Sequence, residues 1–391
     1  MLDSLLFTPP PTSLDSYSYP GRISDPSPSS AVPYRSGFAT IIGAPNMGKS
    51  TLLNRLLSYD LASTNSRPQT TRHAIRGVLT SSEHSTQIAF LDTPGVIPQP
   101  SYSLQTAMMA SVRSSIHAAD LLLVVTDVHG TVPSTADGQV IAALLNTTRP
   151  IVILVNKIDL LPLPPDPSLS DSPPPTTETE FYDRPTLSAE SAIAKWREIL
   201  PAAVAIIPLS TKTGENFEVL TDLLHASPSV PSSFRSLGRP VPGMFADRET
   251  TSLSQEEAFA LLPANPPMYP ADTLTDRSER FIASEIIRST IFSSLTAEVP
   301  YCCEVVVDGF TEETEERPNF RHLKATVLVE RDSQKGILIG AKGVKIKELG
   351  IAARRALEKQ FETKMMVELK VKVDKDWRRD EDKLRKLGYI E

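Results

Sequence analysis

Short apolar runs alternate with amphipathic stretches between Gly37 and residue 228. Five apolar runs are typical of strands: FATIIG, TQIAFLD, LLLVVTD, IVILVNK and AAVAIIPLS. In the stretches between them, apolar residues recur with the 3.6-residue period of a helix. This alternation predicts an α/β fold with a mostly parallel, doubly wound sheet. Ligands of such sheets bind at the carboxyl ends of the strands, so functional residues are expected there.

A different order of elements follows from residue 276 to residue 391. The amphipathic pattern RFIASEIIRSTIFSSL begins after Asp276 and is followed by two strand-like stretches, two helical stretches and the strand-like MMVELKVKV. The order helix, strand, strand, helix, helix, strand predicts a second, α+β domain over 276–391.

Three segments lack a regular period. Residues 1–36, rich in serine and proline, are predicted to be disordered or a targeting segment. Eight prolines between residues 161 and 190 exclude a regular element, so 161–190 is interpreted as an insertion in the first domain, 37–228. Residues 229–275 are interpreted as a linker with a low-complexity insertion.

Charge distribution changes this picture more than the net charge of −7 does. From Arg331 to Glu391 there are 17 Lys or Arg against 11 Asp or Glu, which indicates either a polyanion-binding module or a solvated face of mixed charge. The two cysteines, Cys302 and Cys303, are adjacent and have no zinc or disulfide spacing, so they are predicted to be reduced and buried. The longest apolar runs are far shorter than the about 20 residues of a membrane span.

The segment GAPNMGKST, Gly43–Thr51, fits the phosphate-loop pattern and lies between a predicted strand and helix. Backbone amides of such a loop surround phosphate oxygens, and the following helix presents its positive end to them. Lys49 is predicted to contact the β- and γ-phosphates, and the Ser50 hydroxyl to bind Mg²⁺.

Two further segments complete the predicted phosphate and metal site. In DTPG, Asp92 follows the strand QIAFL and is predicted to hold Mg²⁺, while the Gly95 amide meets the γ-phosphate. NSRPQTTRHAIRG lies where a first switch is expected; Thr71 is favoured over Thr70 as the threonine that closes on the metal. The predicted catalytic residues are Lys49, Asp92, Gly95 and Thr71, and the predicted metal ligands are Ser50, Thr71 and Asp92.

NKID, at the end of the strand IVILV, predicts which base is bound. The Asp159 carboxylate can accept both N1–H and N2–H of guanine, whereas adenine offers no such pair of donors. The segment STK follows the next strand, where backbone amides can reach guanine O6. The predicted nucleotide-binding residues are Gly43, Asn46, Met47, Gly48, Lys49, Ser50, Thr51, Asn156, Lys157, Asp159, Ser210, Thr211 and Lys212.

The residue after DTPG is Val96, which cannot polarise water as glutamine does in many GTPases. Intrinsic GTP hydrolysis is therefore predicted to be slow and to depend on other groups, a metal ion or a partner.

In the second domain, ILIGAKG contains G-x-x-G between an apolar lead-in and an amphipathic helix. KH domains clamp single-stranded nucleic acid with such a loop, and the element order resembles the type II KH topology. A glycine pair that caps helices is the alternative. The predicted RNA-binding residues are Gly340, Ala341, Lys342, Gly343, Lys345 and Lys347.

The motifs of both domains together resemble the Era GTPase family. In the first domain these are GAPNMGKST, PQTTR, DTPG and NKID, and in the second RFIASEIIR, VPYCCEVVV, SQKGILIGAKG and VKVDKDW. The resemblance implies a P-loop GTPase domain with a type II KH domain, GTP or GDP with Mg²⁺, and a potassium ion held with the help of Asn46. It also implies binding near the 3′ end of small-subunit ribosomal RNA and a role in maturation of the pre-ribosomal small subunit. A hydrophobic residue in place of the glutamine, as at Val96, is usual in that family.

STK stands where the family usually has SAK, which matters little for a backbone contact. A non-hydrolysing RNA-binding scaffold and a GTPase with weak peripheral membrane association are the alternative functions, and a monomer is expected. The low-complexity segments suggest a eukaryotic protein. The stretch LQTAMMASVRSSIHAADLLLVV resembles the plastid branch of the family, which implies a chloroplast protein, with mitochondrion or cytoplasm as alternatives.

Overall fold

A computed structural model describes residues 33–64, 67, 69–128, 138–161, 189–225, 261–295, 297–311 and 319–390. Within these residues, strands and helices alternate along the first half of the chain. The strands are β1 (Arg35–Ile42), β2 (Ile75–Ser81), β3 (Thr86–Asp92), β4 (Leu121–Asp127), β5 (Ile151–Asn156) and β6 (Ala205–Pro208). The helices are α1 (Lys49–Leu57), α2 (Ser103–Ala118), α3 (Gly138–Asn146), α4 (Ala189–Ile199) and α5 (Phe217–Leu224).

The described strands form one sheet in the order β2-β3-β1-β4-β5-β6. Only β2 runs antiparallel to its neighbour among these pairs. All residues of β4 and β5 are buried, because helices cover both faces of the sheet. The central strand β1 ends at Ile42, directly before the phosphate loop, with β3 on one side and β4 on the other. The predicted mostly parallel α/β sheet is confirmed.

The second half has the predicted helix, strand, strand, helix, helix, strand order. Its elements are α6 (Glu279–Ser294), β7 (Glu304–Phe310), β8 (Phe320–Val329), α7 (Asp332–Ile339), α8 (Val344–Phe361) and β9 (Lys364–Val373), followed by α9 (Glu381–Lys386). β8 lies between β7, which is antiparallel to it, and β9, which is parallel. The Ser278 side chain caps α6 by accepting a hydrogen bond from the Phe281 amide. This mixed sheet with helices on one face is the type II KH topology.

Contacts join the two halves where the chain leaves β9. Trp377 is fully buried in the apolar cluster that also holds residues of α2 and α4. Its indole Nε1 donates to the Cys302 carbonyl at 3.0 Å, and the Leu104 amide of α2 donates to the Arg378 carbonyl at 2.9 Å. The segment after β9 therefore bridges the KH sheet and helix α2. Cys302 and its neighbour Cys303 are buried free thiols, as predicted.

The segment 261–275 packs on the first domain, although the sequence suggested a linker there. The Val78 amide of the edge strand β2 donates to the Leu274 carbonyl at 2.8 Å, and the Ser36 amide donates to the Pro263 carbonyl at 3.2 Å. Backbone pairing of this kind needs no hydrophobic period, which explains why the pattern did not reveal it. The segment covers an otherwise open sheet edge.

The starts and ends of the predicted segments differ slightly from the observed elements. β1 begins at Arg35, three residues before the predicted strand FATIIG, because the Arg35 amide pairs with the Ser85 carbonyl at 2.9 Å. Most of the predicted insertion, 162–188, lies outside the described residues, as do 1–32 and 226–260. No helix in the described part of the chain is long and apolar enough to cross a membrane.

Candidate functional site

The phosphate loop joins β1 to α1 at the carboxyl edge of the sheet. Gly48 has a φ of 93°, and a Cβ there would lie 2.3 Å from the Asn156 side-chain nitrogen. Any larger residue would therefore push the loop away from the strand end that carries NKID. The loop borders an open cleft. The predicted residues that line it are Asn46, Gly48, Lys49, Ser50, Thr51, Thr71 and Gly95.

Lys49 begins α1 and is buried beneath the loop. Its Nζ donates to the carbonyls of Gly43 at 3.1 Å and Ala44 at 2.9 Å. Burial lowers the pKa of Lys49 to about 8, although the Asp92 carboxylate opposes this. The ammonium is held by weak neutral acceptors at the positive end of a helix, where an anion is the favoured partner.

Three side-chain oxygens meet beside Lys49. The Ser50 hydroxyl donates to Asp92 Oδ2 at 2.6 Å and lies 3.0 Å from Thr71 Oγ1. Asp92 is fully buried, and its Oδ1 has no hydrogen-bond partner among the described residues. Burial raises the pKa of Asp92 to about 6, while Lys49 and Ser50 act to lower it. An orphaned carboxylate oxygen beside two hydroxyls fits a hard divalent cation such as Mg²⁺.

The NKID residues lie at the end of β5 and connect to the phosphate loop. Asn156 Nδ2 donates to the Met47 carbonyl at 2.7 Å, and its Oδ1 accepts from the Thr211 amide at 2.9 Å. Asp159 is half-buried, and one of its oxygens accepts from the Ser210 hydroxyl at 2.7 Å. Asn156 thus ties together the three loops predicted to hold the nucleotide, and Ser210 orients the base-reading carboxylate.

The remaining predicted residues of the nucleotide site lie around these loops. Lys157 has a left-handed backbone, and its Nζ lies 3.3 Å from Asp127 Oδ2. Asn46 is exposed and also left-handed, with φ 63°. Lys212 is exposed, and Thr51 lines the cleft.

Arg55 of α1 is a site residue that the sequence did not reveal. Its guanidinium donates to the carbonyls of Thr211 at 3.1 Å, Lys212 at 3.3 Å and Thr213 at 3.3 Å, and lies 5.2 Å over the Phe217 ring. The acceptors are backbone atoms far along the chain, so the sequence shows only a basic residue near a helix end. Arg55 therefore holds the loop 210–213, which is predicted to reach guanine O6, against the helix that follows the phosphate loop.

Val96 follows DTPG and lies in the core, only 3% exposed. Its amide donates to the Gly43 carbonyl at 3.1 Å, and its side chain packs in an apolar cluster with Ile42 and Ile97. The valine side chain is therefore occupied by packing, and Gly95 alone of this pair lines the cleft.

The structure brings the predicted RNA-binding residues together in the turn between α7 and α8. Gly340 follows the last residue of α7, with its amide donating to the Gly336 carbonyl at 2.9 Å, and Gly343, with φ 77°, immediately precedes α8. Lys342 is exposed in a left-handed conformation, and Lys347 is exposed. The remaining predicted residues are Ala341, which is exposed, and Lys345, whose Nζ lies 3.3 Å from Glu348 Oε2.

Comparisons with known proteins agree with both halves of the fold. Residues 38–157 match the family described as 50S ribosome-binding GTPase, and residues 298–378 match the KH domain. The GTPase Era of Geobacter metallireducens is 36% identical over 357 residues, which are 91% of this chain and 98% of that protein. The chain belongs to the Era GTPase family. The resemblance to Era predicted from the sequence motifs is thereby confirmed.

Two Era crystal structures resemble the whole fold. An Aquifex aeolicus Era variant bound to GDP and AlF4⁻ matches with a TM-score of 0.69 and 27% identity, over 91% of this chain and 100% of that chain. Era in complex with MgGDPNP and nucleotides 1506–1542 of 16S ribosomal RNA matches with a TM-score of 0.70 and 27% identity, over 92% and 100%. The GTPase and KH architecture is therefore shared along nearly the full described chain.

Proposed function

We propose that this Era-family protein is a GTP-hydrolysing switch that binds small-subunit ribosomal RNA near its 3′ end and acts in assembly of that subunit. The observation that carries the proposal is one compact unit, Tyr34–Glu391, that holds both a guanine-nucleotide site and an exposed KH loop. The related Era structure with MgGDPNP and 16S ribosomal RNA supports the same pairing of ligands.

Each nucleotide-site residue has a task that follows from its position. Lys49 is available to exchange its two loop carbonyls for phosphate oxygens, which are stronger acceptors. Asp159, oriented by Ser210, presents its carboxylate to a pair of guanine donors. Ser50, Thr71 and Asp92 would hold Mg²⁺, which supplies positive charge beside the phosphates when bound.

Slow intrinsic hydrolysis is part of the proposal. Val96 is buried, so no polar side chain from that position faces the attacking water. Asn46 is exposed and lines the cleft, and a side-chain amide oxygen is a ligand type that suits a potassium ion. Faster turnover in K⁺ than in Na⁺, lost in Asn46→Ala, is the expected result of that assignment.

The central experiment measures GTP turnover by the full chain with and without an RNA that carries the 3′ end of small-subunit ribosomal RNA. Turnover is expected to be slow alone and faster with this RNA, and a scrambled RNA of equal length is the control. Lys49→Ala should abolish turnover in both conditions. Absence of hydrolysis in every condition would refute the proposal.

RNA binding is tested separately at the KH loop. Lys342→Glu with Lys347→Glu should weaken RNA binding while leaving GDP affinity unchanged, because both side chains are exposed and lie in the second domain. Lys364→Glu, an exposed lysine on β9, is the matched control. Equal RNA affinity in all variants would place the RNA elsewhere.

Chloroplast localisation remains a proposal from the sequence alone. A fluorescent fusion to the carboxyl end of the full chain, imaged in cells of the source organism, distinguishes plastid from mitochondrion and cytoplasm. Crosslinking the protein in that compartment and sequencing the bound RNA then identifies the RNA partner.

A further inference from the structure

Two consecutive residues of the predicted switch segment contact different parts of the molecule. The Thr71 hydroxyl lies 3.0 Å from Ser50 Oγ, in the cleft that borders the phosphate loop. The Arg72 side chain, 3% exposed, instead enters the KH domain, where its Nη1 lies 3.2 Å from Glu304 Oε2. A predicted metal ligand and an interdomain anchor are therefore joined by a single peptide bond.

The guanidinium of Arg72 is held by a set of backbone acceptors as well as by Glu304. Nη1 donates to the Cys303 carbonyl at 2.7 Å, and Nη2 donates to the carbonyls of Tyr301 at 3.0 Å and Pro300 at 3.3 Å. These bonds fix both nitrogens of a planar fork, a geometry that lysine cannot reproduce. The fit of Arg72 therefore depends on where the segment 300–304 lies.

Aromatic side chains enclose the same guanidinium. The Arg72 guanidinium carbon lies 5.8 Å from the ring centres of both Phe292 and Trp377. The Tyr389 hydroxyl donates to Glu304 Oε2, which keeps the carboxylate in place. A charge buried in this way is stable only while its partners stay in position, since an unpaired buried charge is strongly unfavourable.

The partners of Arg72 belong to the frame that also supports the RNA loop. Glu304 begins β7 and is paired with Leu328 of β8, and the Trp377 indole donates to the Cys302 carbonyl. Leu338 of α7 and Leu349 of α8, the helices on either side of the Gly340–Gly343 loop, are buried in the apolar cluster of this sheet. A displacement of the KH domain would therefore move the acceptors of Arg72.

Residues on both sides of Thr71 contact the KH half as well. Ser63 Oγ donates to the Glu285 carbonyl of α6 at 3.5 Å, and Arg67 donates to the Leu295 carbonyl. The His73 ring stacks on Tyr389, with ring centres 4.0 Å apart and planes inclined by 19°. Contacts before and after Thr71 thus anchor the segment to the KH half, and Arg72 makes the most buried of them.

We infer that Arg72 is a positioning residue through which the KH domain controls the placement of Thr71, so that RNA bound to the KH domain changes the rate of GTP hydrolysis. The inference rests on the proposed function, in which RNA stimulates hydrolysis. It adds the residue that transmits the effect. Thr71 lines the cleft beside the phosphate loop and Arg72 does not, so Arg72 acts through its neighbour.

The test compares the RNA stimulation of GTP turnover in the wild-type chain, Arg72→Lys and Glu304→Gln. Arg149→Lys is the matched control, because Arg149 is half-exposed and its Nη1 lies 3.7 Å from Asp120 of the GTPase domain. All proteins are full-length and are assayed at saturating GTP and Mg²⁺, with and without the 3′-terminal ribosomal RNA. Turnover without RNA and RNA affinity in GDP are measured in parallel.

Arg72→Lys should keep RNA affinity in GDP near wild type, because the KH loop is unchanged, and its own turnover without RNA is the reference for its stimulation. Its stimulation by RNA should fall toward one, a loss of about fivefold or more, which is the lower end of usual coupling between sites. Coupling is reciprocal for binding, so the preference of RNA for the GTP-analogue state over the GDP state should fall as well. A residue with only a structural role would not change these ratios.

Each outcome is decisive. Normal stimulation in Arg72→Lys overturns the assignment of Arg72 and leaves the proposed function intact. A wild-type chain that does not respond to RNA overturns RNA-stimulated hydrolysis and this inference together. If Arg72→Lys shows a lowered unfolding temperature, Glu304→Gln decides in its place, since it removes the negative charge beside Arg72 and keeps the backbone carbonyl acceptors. Lost RNA stimulation in Glu304→Gln supports the inference, and normal stimulation overturns it.

Discussion

Asp159 determines base specificity through one carboxylate whose orientation is already set. Ser210 donates to one of its oxygens at 2.7 Å, so the carboxylate is pre-organised for a pair of guanine donors. Asp159→Asn should weaken GTP binding by at least about 1.5–3 kcal/mol, the usual value of hydrogen bonds to a charged group. Isothermal calorimetry with GTP and ATP measures the change.

Ser210→Ala is the matched control for Asp159. It removes the orienting hydroxyl and keeps the charge, so the loss should be smaller, about 0.5–1.5 kcal/mol. Unchanged GTP affinity in Asp159→Asn would show that another group reads the base.

Asp92 lowers the stability of the fold at neutral pH, because it is a fully buried carboxylate with one oxygen that has no partner among the described residues. Burial raises its pKa from 3.8 to about 6, against the effects of Lys49 and Ser50. A raised pKa means that stability present below pH 3.8 is lost as the pH rises through about 6. At neutral pH the buried negative charge of Asp92 therefore reduces the free energy of unfolding of the nucleotide-free protein.

Asp92→Asn should stabilise the nucleotide-free protein by roughly 1–3 kcal/mol at neutral pH, the order of such a pKa shift. The same variant should lose the rise in unfolding temperature that Mg²⁺ with GDP gives the wild type. Asp120→Asn is the comparison, because it removes the negative charge of a carboxylate that accepts from the Phe38 amide at 2.9 Å, and it should therefore destabilise the fold. Urea unfolding measures the stability of both variants, and thermal unfolding with Mg²⁺ and GDP measures the temperature shift. A nucleotide-free Asp92→Asn protein less stable than wild type would contradict the prediction that the buried charge is destabilising.

At the scale of elements, Gln87 of β3 shows how a segment without regular structure is held. Its Oε1 accepts from the amides of Met268 at 2.6 Å and Tyr269 at 2.8 Å. Its Nε2 donates to the Tyr269 carbonyl at 2.8 Å and to Thr80 Oγ1 at 3.0 Å. The buried side-chain amide of Gln87 therefore makes the hydrogen bonds that a neighbouring strand would otherwise offer to the segment 261–275, and so holds that segment in place.

Gln87→Ala should destabilise the fold by roughly 1–3 kcal/mol, because it leaves partly buried backbone groups of Met268 and Tyr269 without these partners. Limited proteolysis should show faster cleavage within 261–275. Thr80→Ala, which removes only one of these bonds, should have a much smaller effect. Equal cleavage rates in wild type and Gln87→Ala would show that other contacts hold the segment.

At the scale of the whole molecule, what the sequence could predict depends on how far apart the interacting residues are. The phosphate loop and the G-x-x-G loop are each formed by a few consecutive residues, so their motifs predicted their places between strand and helix or between two helices. Arg55 and Arg72 bind backbone carbonyls 156 and 231 residues away. Carbonyls are identical in every residue, so no pattern of side chains indicates such a contact.

Val96 illustrates a partial prediction. The sequence showed that glutamine is absent, but only the structure shows that the valine packs in the core. Residues 261–275 illustrate the opposite case, since frequent prolines suggested a linker where backbone pairing holds an ordered segment. Motifs thus predicted the chemistry of the site, whereas the contacts between the halves came from the structure.

Trp377 tests how strongly those halves depend on one another. It belongs to the KH half by sequence, yet its ring is buried in the cluster that holds Met108 and Val112 of α2. Trp377→Ala should cost about 3–5 kcal/mol, typical of a fully buried tryptophan. Because each half has its own apolar cluster, the loss should fall on the contact between them and separate one unfolding transition into two.

Differential scanning calorimetry of the full chain measures the number of transitions. Phe90→Ala is the matched control, since Phe90 is equally buried but belongs to β3 and to an apolar cluster of the GTPase domain that does not contain Trp377. It should lower the stability of the GTPase domain without changing how that domain depends on the KH domain. Two transitions in wild type, or one unchanged transition in Trp377→Ala, would show that the halves are joined mainly elsewhere.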